Sequence, residues 1–229
     1  MHVCGRFVRT FTIADLVAEL GVTPDAPLDE TVAAPNFNIA PTALIPVVGV
    51  RDGLRMLRVM EWGLIPKWSK DDKQQSSMIN ARVETALEKP SFRSLTNKHR
   101  VVVPMSGFYE WNRAGAAKQP FYILDRTRTI LPVAGLWSSW DDPRSGLTRS
   151  TVAILTTAAT SDINGIHDRM PCVLERDEVD SWLDSGTNPL QALTMAAHVK
   201  EGLLRSYPIS VRVNSVQNND FSLLEEIPV

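Results

Sequence analysis

The sequence predicts a single α+β domain built on a strongly curved, mainly antiparallel β-sheet, barrel-like at its core, with peripheral helices. Three observations carry this. From residue 100 onward strand signals dominate: Val101 to Val103, Gly107 to Trp111, Pro120 to Leu124, Ile130 to Trp137 and Thr148 to Thr157 are short apolar or alternating runs, with turn clusters at Arg113 to Lys118 and Asp141 to Gly146. Helical patterns are few and flank that block. No repeat, low-complexity tract or linker divides the 229 residues, so 1–229 reads as one domain with its own core.

The elements follow in order. Thr12 is placed to cap a first helix whose apolar residues Ile13, Leu16, Val17 and Leu20 recur at helical spacing, and Gly21 ends it. Pro24 to Pro41 is rich in Pro, Asp and Asn and reads as a loop. Ala43 to Val50 and Leu54 to Met60 read as strands of a hairpin turned at Asp52-Gly53. Val83 to Lys89 reads as a short helix stopped by Pro90. After the strand block, a helix is predicted over Asp177 to Asp184, and another starts at Asn188-Pro189, a cap followed by a first-turn proline. Ile209 to Val213 reads as a last strand.

Composition excludes several classes. Apolar residues at 44% and charged residues at 22% are those of a globular chain. With 24 Lys and Arg against 26 Asp and Glu, the net charge of −2 excludes a globally basic nucleic-acid coat but not a local groove. Charge is uneven: residues 80–126 hold eight basic and four acidic residues, residues 175–201 two basic and six acidic. Two cysteines, Cys4 and Cys172, make no disulfide framework, and no Cys or His spacing suits zinc. No apolar run spans a membrane and no signal-peptide core precedes Cys4, so a soluble, reduced, cytoplasmic protein is expected.

Among chemistry-bearing residues, Cys4 stands out. It lies where a packed core is least expected, and Arg6 follows closely, a cation that would favour thiolate. Cys172, inside the apolar run Met170 to Leu174, reads as structural. Glu110 lies between aromatics in a predicted strand, a setting that raises a carboxyl pKa and suits proton transfer; a solvent-facing Glu is the alternative. His167 is either a general acid/base or a core histidine partnered by Asp168.

Taken together, six motifs in one order resemble the SOS-response-associated peptidase (SRAP) family of abasic-site-processing proteins. They are Cys4-Gly5-Arg6-Phe7, Asn38-Ile39-Ala40-Pro41, Trp62-Gly63-Leu64-Ile65-Pro66-Lys67-Trp68, Asn80-Ala81-Arg82-Val83-Glu84-Thr85, Gly107-Phe108-Tyr109-Glu110-Trp111 and His167-Asp168-Arg169-Met170-Pro171. The resemblance implies covalent capture of abasic sites in single-stranded DNA. The thiol and α-amine of an N-terminal cysteine, by position Cys4, close a thiazolidine on the ring-opened sugar aldehyde. It implies catalytic roles for Cys4, Asn80, Glu110 and His167. Arg6, Arg82 and Arg169 become candidate phosphate clamps, Asn38 a backbone contact, and Pro41, Trp68 and Phe92 stacking or wedging groups. It also implies associated autopeptidase and AP-lyase chemistry, a monomer, and no metal or organic cofactor.

This chain departs from the pattern in one respect: Cys4 sits behind Met1-His2-Val3, and His2 is too large for ordinary methionine removal. Residues 1–3 therefore read as an extension. A GTG start at Val3 would leave Cys4 first, self-cleavage would expose it, and a chain that keeps the extension would only bind DNA. Two further classes stay open: a non-covalent single-stranded-DNA binder using the basic segment, and a Cys4–His167 peptidase acting on other proteins.

Overall fold

The computed structural model describes residues 4–24, 30–112 and 118–228. Strand β1 (Phe7–Arg9) leads to helix α1 (Ile13–Leu20), whose start is a full capping box: Thr12 accepts from the Asp15 N–H and Asp15 accepts from the Thr12 N–H. Gly21 ends α1 in the left-handed conformation, as its position predicts. Then come β2 (Thr23–Pro24), α2 (Glu30–Ala33), β3 (Asn36–Ile39), and the hairpin β4 (Leu44–Arg51) and β5 (Leu54–Trp62). Asp52 and Gly53 turn it with φ of 53° and 77°, the pair of positive values a tight two-residue hairpin needs.

Next are β6 (Asn80–Arg82), α3 (Pro90–Arg93), α4 (Leu95–Lys98), β7 (Arg100–Met105), β8 (Gly107–Asn112), β9 (Gln119–Asp125), β10 (Leu131–Asp141) and β11 (Thr148–Ala158). The chain closes with β12 (Arg169–Pro171), α5 (Glu178–Leu183), α6 (Pro189–Ala197) and β13 (Leu204–Pro208). The Asn188 side chain caps α6 through the Leu190 N–H at 2.9 Å.

Two sheets result. One has the order β13-β9-β8-β1-β3; the other runs β12-β11-β10-β7-β4-β5-β2. In the second, β11 also pairs with β5, so β11, β10, β7, β4 and β5 close on themselves. Four of the five junctions are antiparallel, and an odd ring of alternating strands forces the fifth, β5 with β11, to be parallel. Closure protects the edges of these strands.

Period-two alternation divides the apolar side chains between two cores. Val48, Leu57, Val102, Ala134, Leu136, Ala153 and Leu155 pack with Leu16, Leu20, Trp182 and Leu193 of the helices. Val47, Met60, Val101, Val103, Val133, Val152 and Ile154 pack with Phe7, Ile39, Phe108, Ile123 and Leu204 of the five-stranded sheet. No helix among the described residues is long and apolar enough to cross a membrane.

The single α+β fold and the main strands match the sequence reading; three local readings are corrected, and three short strands carry no sequence signal. The 24–41 segment contains α2 and β3, because β3 is stabilised by pairing with β1 across the sequence, not by local pattern. Over 83–89 only a single 3₁₀ turn forms (Val83–Thr85), and Pro90 opens α3 at its first turn, where its missing N–H costs nothing. The last strand lies at Leu204–Pro208, in register with β9; after Pro208 a 3₁₀ turn (Val211–Asn214) follows. Phe7–Arg9, Asn80–Arg82 and Arg169–Pro171, three residues each, are too short to show a period. Residues 113–117 of the predicted Arg113 to Lys118 turn lie outside the described residues.

Gly63, with φ of +123°, fixes the departure from β5: a Cβ there would lie 2.6 Å from the Gln75 carbonyl oxygen. Gly63→Ala is expected to destabilise the chain by about 1–3 kcal/mol, from strained backbone and overpacking together. A melting curve that matches the parent would contradict this.

Candidate active site

Cys4 precedes β1, and β8 runs beside β1, with Phe7 opposite Phe108. The Tyr109 N–H donates to the Arg6 carbonyl at 3.0 Å, which draws the chain ahead of β1 along β8. Phe108 and Glu110, two apart on β8, face the same side, so Glu110 emerges at the edge of the core that Phe108 joins. There the Cys4 nitrogen donates to Glu110 Oε1 at 2.5 Å. Both residues are buried, Cys4 completely. Cys4 is also left-handed, φ 43°, a conformation costly for a residue with a side chain.

Two expectations about Cys4 are overturned. Despite its place near the chain start it belongs to a packed cluster with Phe7, Ile39, Met60, Trp62 and Met105. Nor does Arg6 activate the thiol. Burial, and then the negative charge of Glu110, push the Cys4 thiol well above its ordinary range. The Arg6 guanidinium points elsewhere, donating to Asn38 Oδ1 at 2.7 Å and to the Val213 carbonyl at 3.0 Å. At neutral pH the sulfur is therefore a protonated thiol, and the nitrogen is the atom in contact with a base.

The other expected catalytic residues reach the rim of the same cluster. Trp62 ties them together: its ring meets Phe7 edge-on at 5.1 Å, and its Nε1 donates to the Ile79 carbonyl at 3.0 Å, one residue before Asn80. Asn80 sits on β6, parallel to β11 and opposite Ile154. His167 lies in the loop before β12, whose Met170 is buried in the Cys4 cluster. Asn112, two residues past Glu110, donates to the Gly165 carbonyl at 3.1 Å and so holds that loop against β8. The Arg169 N–H donates to His167 Nδ1 at 3.0 Å, with Asp168 Oδ1 2.9 Å from the same nitrogen. Nδ1 is thus occupied within the loop, and Nε2 is left to carry a proton.

The three arginines differ. Arg82 is exposed and makes no ion pair among the described residues. Arg169 is forked onto Glu84, 3.0 and 2.9 Å to the two carboxylate oxygens, and also donates to the Thr156 carbonyl at 2.7 Å. Arg6 is engaged with Asn38, and Asn38 in turn donates to the carbonyls of Val213, Ser215 and Asn218 at 3.2, 2.9 and 2.8 Å. In this state Asn38 fastens the C-terminal segment. Trp68 stands two-thirds exposed. Pro41 is half-buried in a turn held against Trp62 through the Thr42 N–H and the Trp62 carbonyl, 2.7 Å apart. Phe92 is half-buried against the helical core instead of standing out as Trp68 does. No group of three or more His, Cys, Asp or Glu suited to a metal gathers among the described residues.

Sequence reasoning gave Glu84, Asn112 and Trp62 no role of their own. Glu84 was within reach, since it shares the Asn80 to Thr85 motif; Asn112 carries no local signal. Burial opposes ionisation of Glu84, yet the Arg169 fork and nearby Arg82 hold its carboxyl below the usual range. Its contribution to stability is thus present at neutral pH and is lost only as pH falls through that depressed range. Glu84 also competes with any phosphate for Arg169. Glu84→Gln is expected to tighten binding of a phosphate-bearing polyanion severalfold at low salt, and the gain should fade as salt screens it. Equal or weaker binding in a titration would show that the fork only positions Arg169.

Known proteins share this arrangement of sequence and fold. The model of the family described as SOS response associated peptidase (SRAP) matches residues 3–216. The abasic site processing protein YoaM of Bacillus subtilis (strain 168) is 35% identical over 227 residues, covering 97% of each chain. The abasic site processing protein YedK of Escherichia coli (strain K12) is 29% identical over 228 residues, covering 98% of this chain and all of that one (100%). A crystal structure of a protein from Bacteroides thetaiotaomicron superposes with a TM-score of 0.86 at 26% identity, covering 98% of this chain and 100% of the other.

Proposed function

The chain belongs to the SOS response associated peptidase family, and from that premise we propose that it processes abasic sites in single-stranded DNA by covalent capture at Cys4. The contact that carries the reading is the 2.5 Å hydrogen bond from the Cys4 nitrogen to the Glu110 carboxylate. Once residues 1–3 are gone, that nitrogen is an α-amine with an ordinary pKa of about 7.7–8.0. Glu110 accepts a proton from it and frees its lone pair.

The amine attacks the aldehyde carbon of the ring-opened sugar; loss of water, with the proton delivered by Glu110, leaves an imine. The Cys4 thiol then adds across the C=N bond, sulfur to carbon and hydrogen to nitrogen, closing the five-membered ring. A protonated thiol suits this order, because it brings its own proton. His167 Nε2 protonates the sugar oxygen during ring opening, and Asn80 orients the amine and the sugar. Arg82 takes a flanking phosphate, Arg169 and Arg6 do so by exchanging their protein partners, Trp68, Pro41 and Phe92 stack on or wedge between bases beside the lesion, and Asn38 contacts the DNA backbone. The same imine supports AP-lyase strand scission by β-elimination, and the same Cys4 and Glu110 support autocleavage ahead of Cys4. The protein acts as a monomer in the cytoplasm, on the nucleoid when bound to DNA.

The experiment uses an abasic single-stranded oligonucleotide and a denaturing gel. A chain beginning at Cys4 is expected to give a shifted band that survives boiling in detergent, while Cys4→Ala and a chain that keeps residues 1–3 give none. Intact-mass measurement identifies which N-terminus each preparation has. If binding is fully reversible in the chain beginning at Cys4, it is a non-covalent DNA binder; if it cleaves unrelated proteins without DNA, the peptidase reading prevails.

A further inference from the structure

A cavity of about 450 Å³ lies away from the Cys4–Glu110 contact, between the β4–β5 hairpin, β7, β10 and the end of α5. Its volume suits a small ligand group. Three cations line it, Arg58, Lys98 and Arg100, against a single carboxylate, Asp184. Arg100 is buried, donates to the Trp182 and Thr96 carbonyls at 2.6 Å each, and is balanced by Asp184, so it is part of the frame. Arg58 and Lys98 are different. Neither has an ion-pair partner within 4 Å among the described residues. The Arg58 guanidinium lies 5.3 Å from the centre of the Trp137 ring, held by the indole and not by an acid. His99 packs on the same indole at 4.8 Å. Burial, and then the charge of Lys67, lower the His99 pKa, so Lys67 lies close by. Lys67 precedes the exposed Trp68, so a charge from the Trp68 loop acts on His99, the neighbour of Lys98 and Arg100.

Two cations without ion-pair partners in one concave site, Arg58 fixed on the Trp137 indole and Lys98 beside it on the lining, make a receptor for an anion with several oxygens. We infer that this cavity is a second phosphate subsite, in which Arg58 and Lys98 hold a backbone phosphate of the DNA strand beyond Trp68. The inference rests on the reading that the chain works on DNA, but it does not depend on the chemistry at Cys4.

The test uses a fluorescent single-stranded oligonucleotide with no abasic site, so that capture plays no part. The double variant Arg58→Gln, Lys98→Gln is expected to bind it about tenfold more weakly at low salt and to lose about 1.4 from the slope of log K against log salt, two contacts at about 0.7 each. Lys98→Gln alone, a change at an exposed side chain, is expected to lose half of that slope change and guards against misfolding of the double variant. Melting temperatures confirm the fold of each. An unchanged slope in folded variants overturns the inference. So does an Arg58-dependent thermal shift with ATP when the oligonucleotide slope is unchanged, since the cavity would then serve a free nucleotide. If the slope falls as expected but no crosslink forms on abasic DNA, the subsite stands and the chemistry assigned to Cys4 falls.

Discussion

Replacing Glu110 by Gln in a chain that begins at Cys4 is expected to slow covalent capture of an abasic oligonucleotide by about 10²–10⁴-fold. The melting temperature should move little. Gln is nearly isosteric and still offers an oxygen to the Cys4 nitrogen, which as a neutral amine leaves no buried charge unpaired. What Gln cannot do is take the proton that keeps the amine inert and return it to the leaving water. The same change has an opposite effect on sulfur. Burial remains, but the Glu110 charge that also pushes the Cys4 thiol up is gone, so the thiol becomes more acidic. If thiolate attack limited the reaction, Glu110→Gln would capture faster. If amine activation limits it, capture slows despite the better thiol. Single-turnover gels across pH decide between them; a variant at parental rate would remove Glu110 from the mechanism.

Much of this arrangement was legible in the sequence, for identifiable reasons. The α1 ends and the β4–β5 turn were readable because Thr12, Asp15, Gly21, Asp52 and Gly53 act on their own neighbourhoods. Glu110 stood out because a carboxylate between aromatics in a strand contradicts its surroundings. What could not be read depends on partners distant in sequence. Cys4 looked exposed and cation-activated because its local neighbours are Gly5 and Arg6, whereas its environment is set by Glu110, 106 residues away, and by Trp62 and Phe7. Arg6 and Asn38 looked like free DNA contacts because nothing local shows the Val213 to Asn218 carbonyls that occupy them. Strand β3 was hidden for the same reason, since only β1 stabilises it. Polar residues in a motif that suggests a binding role can be chemically committed to the fold before any ligand arrives.

Trp62→Ala is expected to produce the largest combined loss of stability and activity, because Trp62 joins the two arms of the site. It is completely buried, lies edge-on to Phe7 at 5.1 Å, and donates from Nε1 to the Ile79 carbonyl at 3.0 Å. Truncation leaves a cavity, costing about 3–5 kcal/mol, and removes one of two donors from the buried Ile79 carbonyl, which keeps the Ile154 N–H at 3.0 Å. In a chain of this size that is a fall in Tm on the order of 10 °C. The activity loss has a separate cause. Phe7 lies three residues past Cys4 and Ile79 one before Asn80, so without the indole the direct link between them is lost and Asn80 is positioned by its β11 pairing alone. Trp62→Phe separates the two effects: it keeps most of the ring packing but not the Nε1 donor, and should recover most of the stability while Asn80 remains less well placed. Capture by Trp62→Phe should therefore stay slower than by the parent at temperatures where both are fully folded. If instead its capture rate returns with its Tm, Trp62 serves packing alone, and the link from Ile79 to Asn80 plays no part in placing the asparagine.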